Sequence, residues 1–129
     1  MSNQDRVMII DDEKIVGDMA KLSLEQDGYE VETFLNGESA LERLREKPFD
    51  VVVTDLKMKG IDGLEVLRTV KKLHPKTAVI MITAFANLDV AIEALRDDVQ
   101  DFFPKPVKIK ELKASIKKAL EKRKEEDVD

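Results

Sequence analysis

The sequence predicts an α/β fold in which an open, five-stranded parallel sheet carries helices on both faces within a single domain. The first reason is that short apolar runs alternate five times with longer stretches in which apolar residues recur at helical spacing. The second is that three of these runs are continuously apolar, which is typical of strands that a parallel sheet buries on both faces. The chain has 129 residues, 43% of them apolar, which matches the size and composition of one folded domain.

The five predicted strands are short and lie between turn residues. VMII at 7–10, VVVT at 51–54 and AVIMI at 78–82 are the continuously apolar runs. EVETF at 30–34 alternates apolar and polar side chains, which indicates a strand at the edge of the sheet. DFF at 101–103 predicts a weaker fifth strand. Because a predicted helix follows each strand, we expect right-handed crossovers to join the strands in parallel.

Amphipathic helices are predicted between the strands, where apolar residues lie three or four positions apart. They cover residues 13–27, 37–46, 62–73 and 87–96, and a fifth helix runs from about residue 107 onward. The side chains predicted to face the core are Ile15, Met19 and Leu22 in the first helix, Ala40, Leu41 and Leu44 in the second, Leu64, Leu67 and Val70 in the third, Leu88, Ala91, Ile92 and Leu95 in the fourth, and Ile109, Leu112, Ile116 and Leu120 in the last. We expect the domain to span residues 1–122 and the charged residues 123–129 to form a tail or linker.

Composition excludes several classes of function. The net charge is −5, so the domain offers no basic footprint for direct nucleic-acid binding. The chain has no cysteine, which excludes disulfides, thiol nucleophiles and cysteine-bound metals and fits the cytoplasm. No apolar run approaches the roughly 18 residues of a membrane span, and the first residues do not resemble a secretion leader.

Polar residues with complementary chemistry follow four of the five predicted strands. Asp11 and Asp12 follow the first strand, Asp55 the third, Thr83 the fourth, and Lys105 lies just beyond the fifth. Ligands of open parallel sheets bind outside the carboxyl ends of the strands, where the strand order reverses. In the flavodoxin-like order 2-1-3-4-5 the first and third strands are neighbours, so the three aspartates would form one cluster flanked by the threonine and the lysine.

This cluster predicts phosphoryl chemistry assisted by a divalent cation. Two carboxylates about 4 Å apart repel each other by on the order of 4 kcal/mol at an effective dielectric constant of about 20. Lys105 can balance one negative charge, and Mg²⁺, which prefers oxygen ligands, can balance the excess. A carboxylate can attack phosphorus to give an acyl phosphate, and Asp55 is the candidate nucleophile because of its central position.

Taken singly, each of these residues also has a structural role available. Asp11 and Asp12 can cap the helix that follows them, and Asp55 can be a turn residue. Thr83 is a good strand former, and Lys105 can be a solvated loop lysine unless a cis bond to the following proline aims its amine at the carboxylates. These alternatives stay open for each residue alone, but none explains why complementary groups follow four strand ends.

The sequence closely resembles the receiver domain of two-component response regulators. The motifs that carry the resemblance are IIDDE at 9–13, VVVTDLKMKGIDGLEVL at 51–67, VIMITAFANLDVAIEAL at 79–95 and DFFPKP at 101–106. Together they span nearly the whole chain. The third and fourth motifs look most like those of receivers that control enhancer-binding, AAA-type transcriptional activators.

The resemblance implies a phosphoacceptor site. Asp55 would take a phosphoryl group from a histidine kinase or a phosphotransfer protein. Asp11 and Asp12 would hold Mg²⁺ together with Asp55, and the backbone carbonyl of Lys57 would complete the protein ligands. Such a domain is a signalling switch that catalyses only its own phosphorylation and dephosphorylation, and it is not an enzyme with a separate substrate.

The resemblance also implies a switch. Thr83 and Lys105 would contact the phosphoryl oxygens, and Phe102 matches an aromatic residue that changes rotamer when Thr83 moves. The output surface would comprise the fourth helix, the fifth strand and the fifth helix. Through it the domain would control an output domain, covalent or separate, and form a homodimer.

Two other functions share parts of this pattern. An aspartate-nucleophile phosphatase would use the same acyl phosphate, but Lys57 stands where such enzymes carry a second aspartate as general acid. A receiver-like interaction module that takes no phosphate is the other alternative, and the complete acidic set counts against it.

Overall fold

A computed structural model describes residues 5–84 and 98–127 of the chain. The strands are β1 (Arg6–Ile10), β2 (Glu30–Phe34), β3 (Val51–Asp55), β4 (Ala78–Thr83) and β5 (Asp101–Pro104). The helices are α1 (Lys14–Gln26), α2 (Gly37–Glu46), α3 (Gly63–Leu73) and a C-terminal helix (Ile109–Asp127). The helix predicted over residues 87–96 lies outside the described residues. No helix within the described ranges is both long and apolar enough to cross a membrane.

All five strands are parallel, and their order is β2-β1-β3-β4-β5, which confirms the predicted fold and strand order. The alternating strand β2 lies at an edge, as predicted. In register, Ile10 pairs with Thr54 across β1 and β3, and Thr83 pairs with Pro104 across β4 and β5. The residues that follow these strands therefore emerge at one edge of the sheet.

The sheet buries side chains on both faces, which explains the continuously apolar strands. We call one side the α2–α3 face; its strand residues include Met8, Ile10, Val52, Val79 and Met81. We call the other side the α1 face, which the C-terminal helix also covers; its strand residues include Val7, Ile9, Val53, Ile80 and Ile82. Successive residues of a strand point to opposite faces, so each strand contributes to both clusters.

Helices α2 and α3 have the orientation that the sequence predicts. Ala40, Leu41 and Leu44 of α2 are buried, as are Leu67 and Val70 of α3, and Leu64 is half-buried. Each helix begins at a side-chain cap, which satisfies a backbone N–H that has no partner within the helix. Asn36 Oδ1 accepts from the Ser39 N–H at 2.8 Å, and Asp62 Oδ1 accepts from the Glu65 N–H at 3.0 Å.

Helix α1 forms where the sequence predicts it, but the prediction of which side chains face the core is wrong. Ile15, Met19 and Leu22 do not face the core, since they are 67%, 66% and 64% exposed. The helix instead buries Gly17, Ala20 and Leu24. Gly17 comes close to β2, where a Cβ at this position would lie 3.6 Å from the Thr33 side chain. Small residues on this stripe let the helix approach the sheet, and the larger apolar side chains then point outward.

The C-terminal helix buries Leu112, Ile116 and Leu120, as predicted. Ile109 was also expected in the core, but it is 38% exposed because it is the first residue of the helix, at its outer end.

The same helix continues to Asp127, past the predicted domain limit at residue 122. Arg123 forms an ion pair and hydrogen bond with Asp50, and Lys124 Nζ lies 3.9 Å from a carboxylate oxygen of Asp5. The first residues of the predicted tail thus contact the domain, and the boundary itself stays a prediction.

Candidate functional site

The site lies at the edge of the sheet where β1, β3 and β4 end. Asp11 directly follows β1, and its N–H donates to the Phe34 carbonyl at 3.0 Å, which extends the pairing with β2 by one residue. Asp55 is the last residue of β3. Asp11 and Asp55 are buried, at 1% and 5% exposure, and Asp12 is exposed. The strand ends therefore place two carboxylates inside the protein and one at its surface.

The three aspartates lie together, as the strand order implies. One carboxylate oxygen from each of Asp11, Asp12 and Asp55 lies within 4.8 Å of the other two. Three negative charges at such distances repel each other unless cations offset them.

Lys105 supplies one cation at this cluster. Its Nζ lies 2.8 Å from Asp55 Oδ2 and 3.2 Å from Asp11 Oδ1, and it donates hydrogen bonds to both. The Lys105 N–H donates to the Thr83 carbonyl at 2.7 Å, which fixes the backbone beside β4, and the bond to Pro106 is cis. Burial lowers the pKa of Lys105, but its hydrogen bonds to Asp55, Glu13 and Asp11 outweigh burial and raise the pKa above its ordinary value. The side chain therefore stays an ammonium at neutral pH.

The buried carboxylate of Asp11 has an oxygen suited to a metal ion. Burial raises the pKa of Asp11, and hydrogen bonds from the Glu13 N–H and from Lys105 offset this only in part. Its Oδ2 lies 3.0 Å from Lys105 Nζ, yet it is buried and accepts no hydrogen bond within the described part of the chain. A buried carboxylate oxygen that accepts no hydrogen bond is costly unless nearby positive charge offsets it, and here the single charge of Lys105 is shared among three carboxylates. Together with the oxygens of Asp12 and Asp55 it fits Mg²⁺, a hard cation that takes oxygen ligands.

The other residues predicted for the site also lie at this edge. The Lys57 N–H donates to Asp55 Oδ1 at 3.2 Å, so the backbone at Lys57 helps to orient the carboxylate. Thr83 is fully buried at the end of β4, one residue beyond Ile82, which pairs with Asp55 in register. The roles of the Lys57 carbonyl and the Thr83 hydroxyl stay predictions.

Phe102 lies on β5, beside Met81 in register. It is half-buried and packs against the apolar cluster of the α2–α3 face. Phe102 is therefore a core residue that is partly exposed to solvent. The change of rotamer expected for it stays a prediction.

Two residues near the site were not predicted from the sequence. Glu13 forms an ion pair with Lys105, with its Oε1 2.8 Å from Nζ, and this hydrogen bond lowers the pKa of Glu13. Gly63 packs behind Asp55, and a Cβ there would lie 2.5 Å from the Asp55 carbonyl oxygen. The signal for Glu13 was its place directly after the two aspartates, and that for Gly63 was the turn pair Asp62-Gly63 after β3.

Comparison with known proteins identifies the family of the chain. The family "Response regulator receiver domain" matches residues 7–117. The chain is similar to the DNA-binding transcriptional regulator NtrC of Escherichia coli (strain K12), with 36% identity over 114 residues, which cover 88% of this chain and 24% of NtrC. The chain thus spans about a quarter of the length of the curated relatives it matches.

Solved structures have the same fold. A CheY-like receiver domain from Methanospirillum hungatei JF-1 is 30% identical, with a TM-score of 0.89 and coverage of 96% of this chain and 99% of the other. The beryllofluoride-activated NtrC4 receiver domain dimer is 30% identical, with a TM-score of 0.85 and coverage of 92% and 98%.

Proposed function

The chain belongs to the response regulator receiver domain family, and from this premise we propose that Asp55 accepts a phosphoryl group from a histidine kinase or a phosphotransfer protein. The match to NtrC confirms the predicted likeness to receivers of enhancer-binding transcriptional activators. Receiver domains are signalling domains, so the reaction serves a switch. The observation that carries the proposal is the position of Asp55, whose carboxylate lies 2.8 Å from Lys105 Nζ and within 4.8 Å of carboxylate oxygens of Asp11 and Asp12.

The residues that this chain contributes to the transfer all lie at this edge of the sheet. A carboxylate oxygen of Asp55 attacks phosphorus and forms an O–P bond, while the P–N bond to the donor imidazole breaks. The imidazole leaves with the electron pair of that bond and takes up a proton. The Lys105 ammonium, 2.8 Å from Asp55 Oδ2, and the Thr83 hydroxyl are proposed to offset the charge on the transferring oxygens.

Asp11, Asp12 and Asp55 are the proposed side-chain ligands of Mg²⁺, with the Lys57 carbonyl as a fourth protein ligand. Support comes from the three oxygens that lie within 4.8 Å of one another and from Asp11 Oδ2, which is buried and accepts no hydrogen bond within the described residues. When bound, the ion supplies positive charge that offsets the carboxylates and the phosphoryl oxygens.

The proposed response to phosphorylation involves Thr83 and Phe102. A change at Thr83 would alter the packing of Phe102 and bias the predicted fourth helix, β5 and the C-terminal helix between two states. The partner on this surface would be an output domain or a second copy of the chain, and the NtrC4 receiver is itself described as a dimer. We expect the switch to operate in the cytoplasm.

Mass spectrometry after treatment with a small acyl phosphate tests this function. The wild type should gain the mass of one phosphoryl group in the presence of Mg²⁺ and remain unlabelled without it. Asp55→Asn should take up no label because an amide is a poor nucleophile. Asp18→Asn, the same change at an exposed ion pair on α1, should label like the wild type. Equal labelling of Asp55→Asn would contradict the assignment.

A further inference from the structure

Glu13 is a third carboxylate on Lys105 and lies outside the proposed metal ligands. Its Oε1 accepts a hydrogen bond from Lys105 Nζ at 2.8 Å, the same distance as that from Nζ to Asp55 Oδ2. Glu13 directly precedes α1, and its side chain makes no cap to that helix. Its backbone N–H donates to Asp11 Oδ1 at 2.8 Å, and its side chain accepts the hydrogen bond from Lys105.

The hydrogen bonds of Lys105 are all in use. An ammonium has three N–H groups, and here they donate to Asp11, Glu13 and Asp55. A phosphoryl group that approaches Asp55 would bring new acceptor oxygens within reach of the same ammonium while Asp55 is still a carboxylate. Lys105 can bond these oxygens only by giving up one of its present partners.

Exposure decides which partner is released. The side chains of Asp11 and Asp55 are 0% and 7% exposed, whereas that of Glu13 is 61% exposed. A buried carboxylate that loses its hydrogen bond meets a large desolvation cost, but water can replace the bond to Glu13. Glu13 is therefore the acceptor that Lys105 can exchange for a phosphoryl oxygen at least cost.

We propose that Glu13 is a positioning residue that holds Lys105 in the unphosphorylated domain and competes with the phosphoryl group for it. The competition slows phosphorylation, because the ammonium must leave Glu13 before it can offset charge on the transferring oxygens. This inference rests on the proposed phosphorylation of Asp55 and adds that the residue after the two aspartates sets its rate.

The test compares labelling rates with a small acyl phosphate at saturating Mg²⁺. Glu13→Gln keeps the shape of the side chain and removes its charge, so labelling should be roughly two- to five-fold faster than in the wild type, the range expected for one exposed ion pair. The gain should shrink as salt is added, because salt already weakens the exposed pair in the wild type. Glu25→Gln, the same change at the α1 ion pair with Lys21, should leave the rate unchanged.

A second variant separates an action through Lys105 from a general effect of charge. In a Lys105→Met background, Glu13→Gln should change the labelling rate by less than it does in the wild type, since Glu13 then has no ammonium group to bind. An equal acceleration in both backgrounds, or none in the wild type, would overturn the inference. If the wild type itself takes up no label, the proposed function has failed and not merely the role of Glu13.

Discussion

Within the described residues, each face of the sheet is covered by a pair of helices, and the two pairs differ in how closely their helices pack. On the α2–α3 face, α2 and α3 pack directly on each other and bury Leu41, Leu44, Leu67 and Val70. On the α1 face, α1 and the C-terminal helix leave a groove of about 720 Å³ between them. Its floor is formed by Ile9, Val53 and Ile82 of the sheet, and its rim includes the exposed Met19 and Leu22.

The difference originates in which stripe of each helix meets the sheet. Leucines of α2 fill the space above the strands, whereas α1 presents Gly17 and Ala20 and turns its larger side chains away. The groove reaches Glu13 and Lys105, so the candidate site lies between a tightly packed face and a looser one. We therefore expect added atoms to be harmful near the site on the α2–α3 side and tolerated on the α1 side.

The largest expected effect concerns the orientation of α1, on which the loose packing depends. Leu24 is fully buried, so Leu24→Ala should cost about 2–5 kcal/mol of unfolding free energy through lost burial and a new cavity. Leu22 is 64% exposed, so Leu22→Ala should change it by no more than about 0.5 kcal/mol. Urea denaturation of the two variants measures both values. A comparable loss for Leu22→Ala would mean that α1 is rotated as its apolar pattern first predicted.

Two glycines compare the faces directly. A Cβ at Gly63 would lie 2.5 Å from the Asp55 carbonyl oxygen and 2.8 Å from Leu56 Cα, and backbone atoms cannot move aside cheaply. Gly63→Ala should therefore cost about 1–3 kcal/mol. A Cβ at Gly17 would make only ordinary contact with Thr33, so Gly17→Ala should stabilise the protein by about 0.5–1 kcal/mol, since alanine is the better helix former.

Thermal and urea denaturation of both glycine variants provide the measurement, with each variant serving as the control for the other. Destabilisation by Gly17→Ala would show that α1 packs more tightly than the groove suggests. A neutral Gly63→Ala would show that the α2–α3 face can give way behind Asp55, and the proposed contrast between the faces would fail.

The fold was predictable because strands buried on both faces of a sheet need apolar residues at successive positions, and this pattern is visible in the sequence. The runs of β1, β3 and β4 are continuously apolar, and the order of a parallel sheet then brings their ends together. The rotation of α1 was not predictable from periodicity. Two stripes of α1 have helical spacing, one with Ile15 and Met19 and one with Gly17 and Ala20. The stripe of smaller side chains faces the sheet because it lets the helix backbone lie closer to the strands.

The candidate site shows the same limit. The aspartates and Lys105 follow strand ends, so topology alone implies that they meet. Glu13 contacts Lys105 through its side chain, and Gly63 lies against the backbone of Asp55. Their sequence positions, after the two aspartates and in the turn after β3, place both residues near the site, but residue type and spacing do not give the contacts themselves. Sequence patterns thus predicted the aspartates and the lysine of the site but not the contacts that surround them.

The smallest expected effect lies at the edge strand β2, where the two faces are held in different ways. Glu32, which faces α2, accepts two hydrogen bonds from Arg43, at 2.8 Å to Oε1 and 3.0 Å to Oε2. Thr33 faces α1, where a Cβ at Gly17 would lie 3.6 Å from its side chain. The hydrogen bonds from Arg43 lower the pKa of Glu32 below its ordinary value. The stability that this pair contributes is therefore fully present above the pKa of Glu32 in the unfolded chain, and it is lost as pH falls through the lower pKa of the folded state.

Glu32→Gln should lower the urea midpoint at neutral pH by less than Gly63→Ala does, because the pair is partly exposed. The difference from the wild type should shrink as pH falls over the range in which both proteins stay folded, since protonation of Glu32 removes its charge in the wild type as well. Glu30→Gln, on the same strand with a single hydrogen bond from Arg6, provides the matched control and should have a smaller effect at neutral pH. A Glu32→Gln difference that persists unchanged at low pH would mean that packing, and not charge, holds α2 to the sheet edge, and the two faces would then be secured there in the same way.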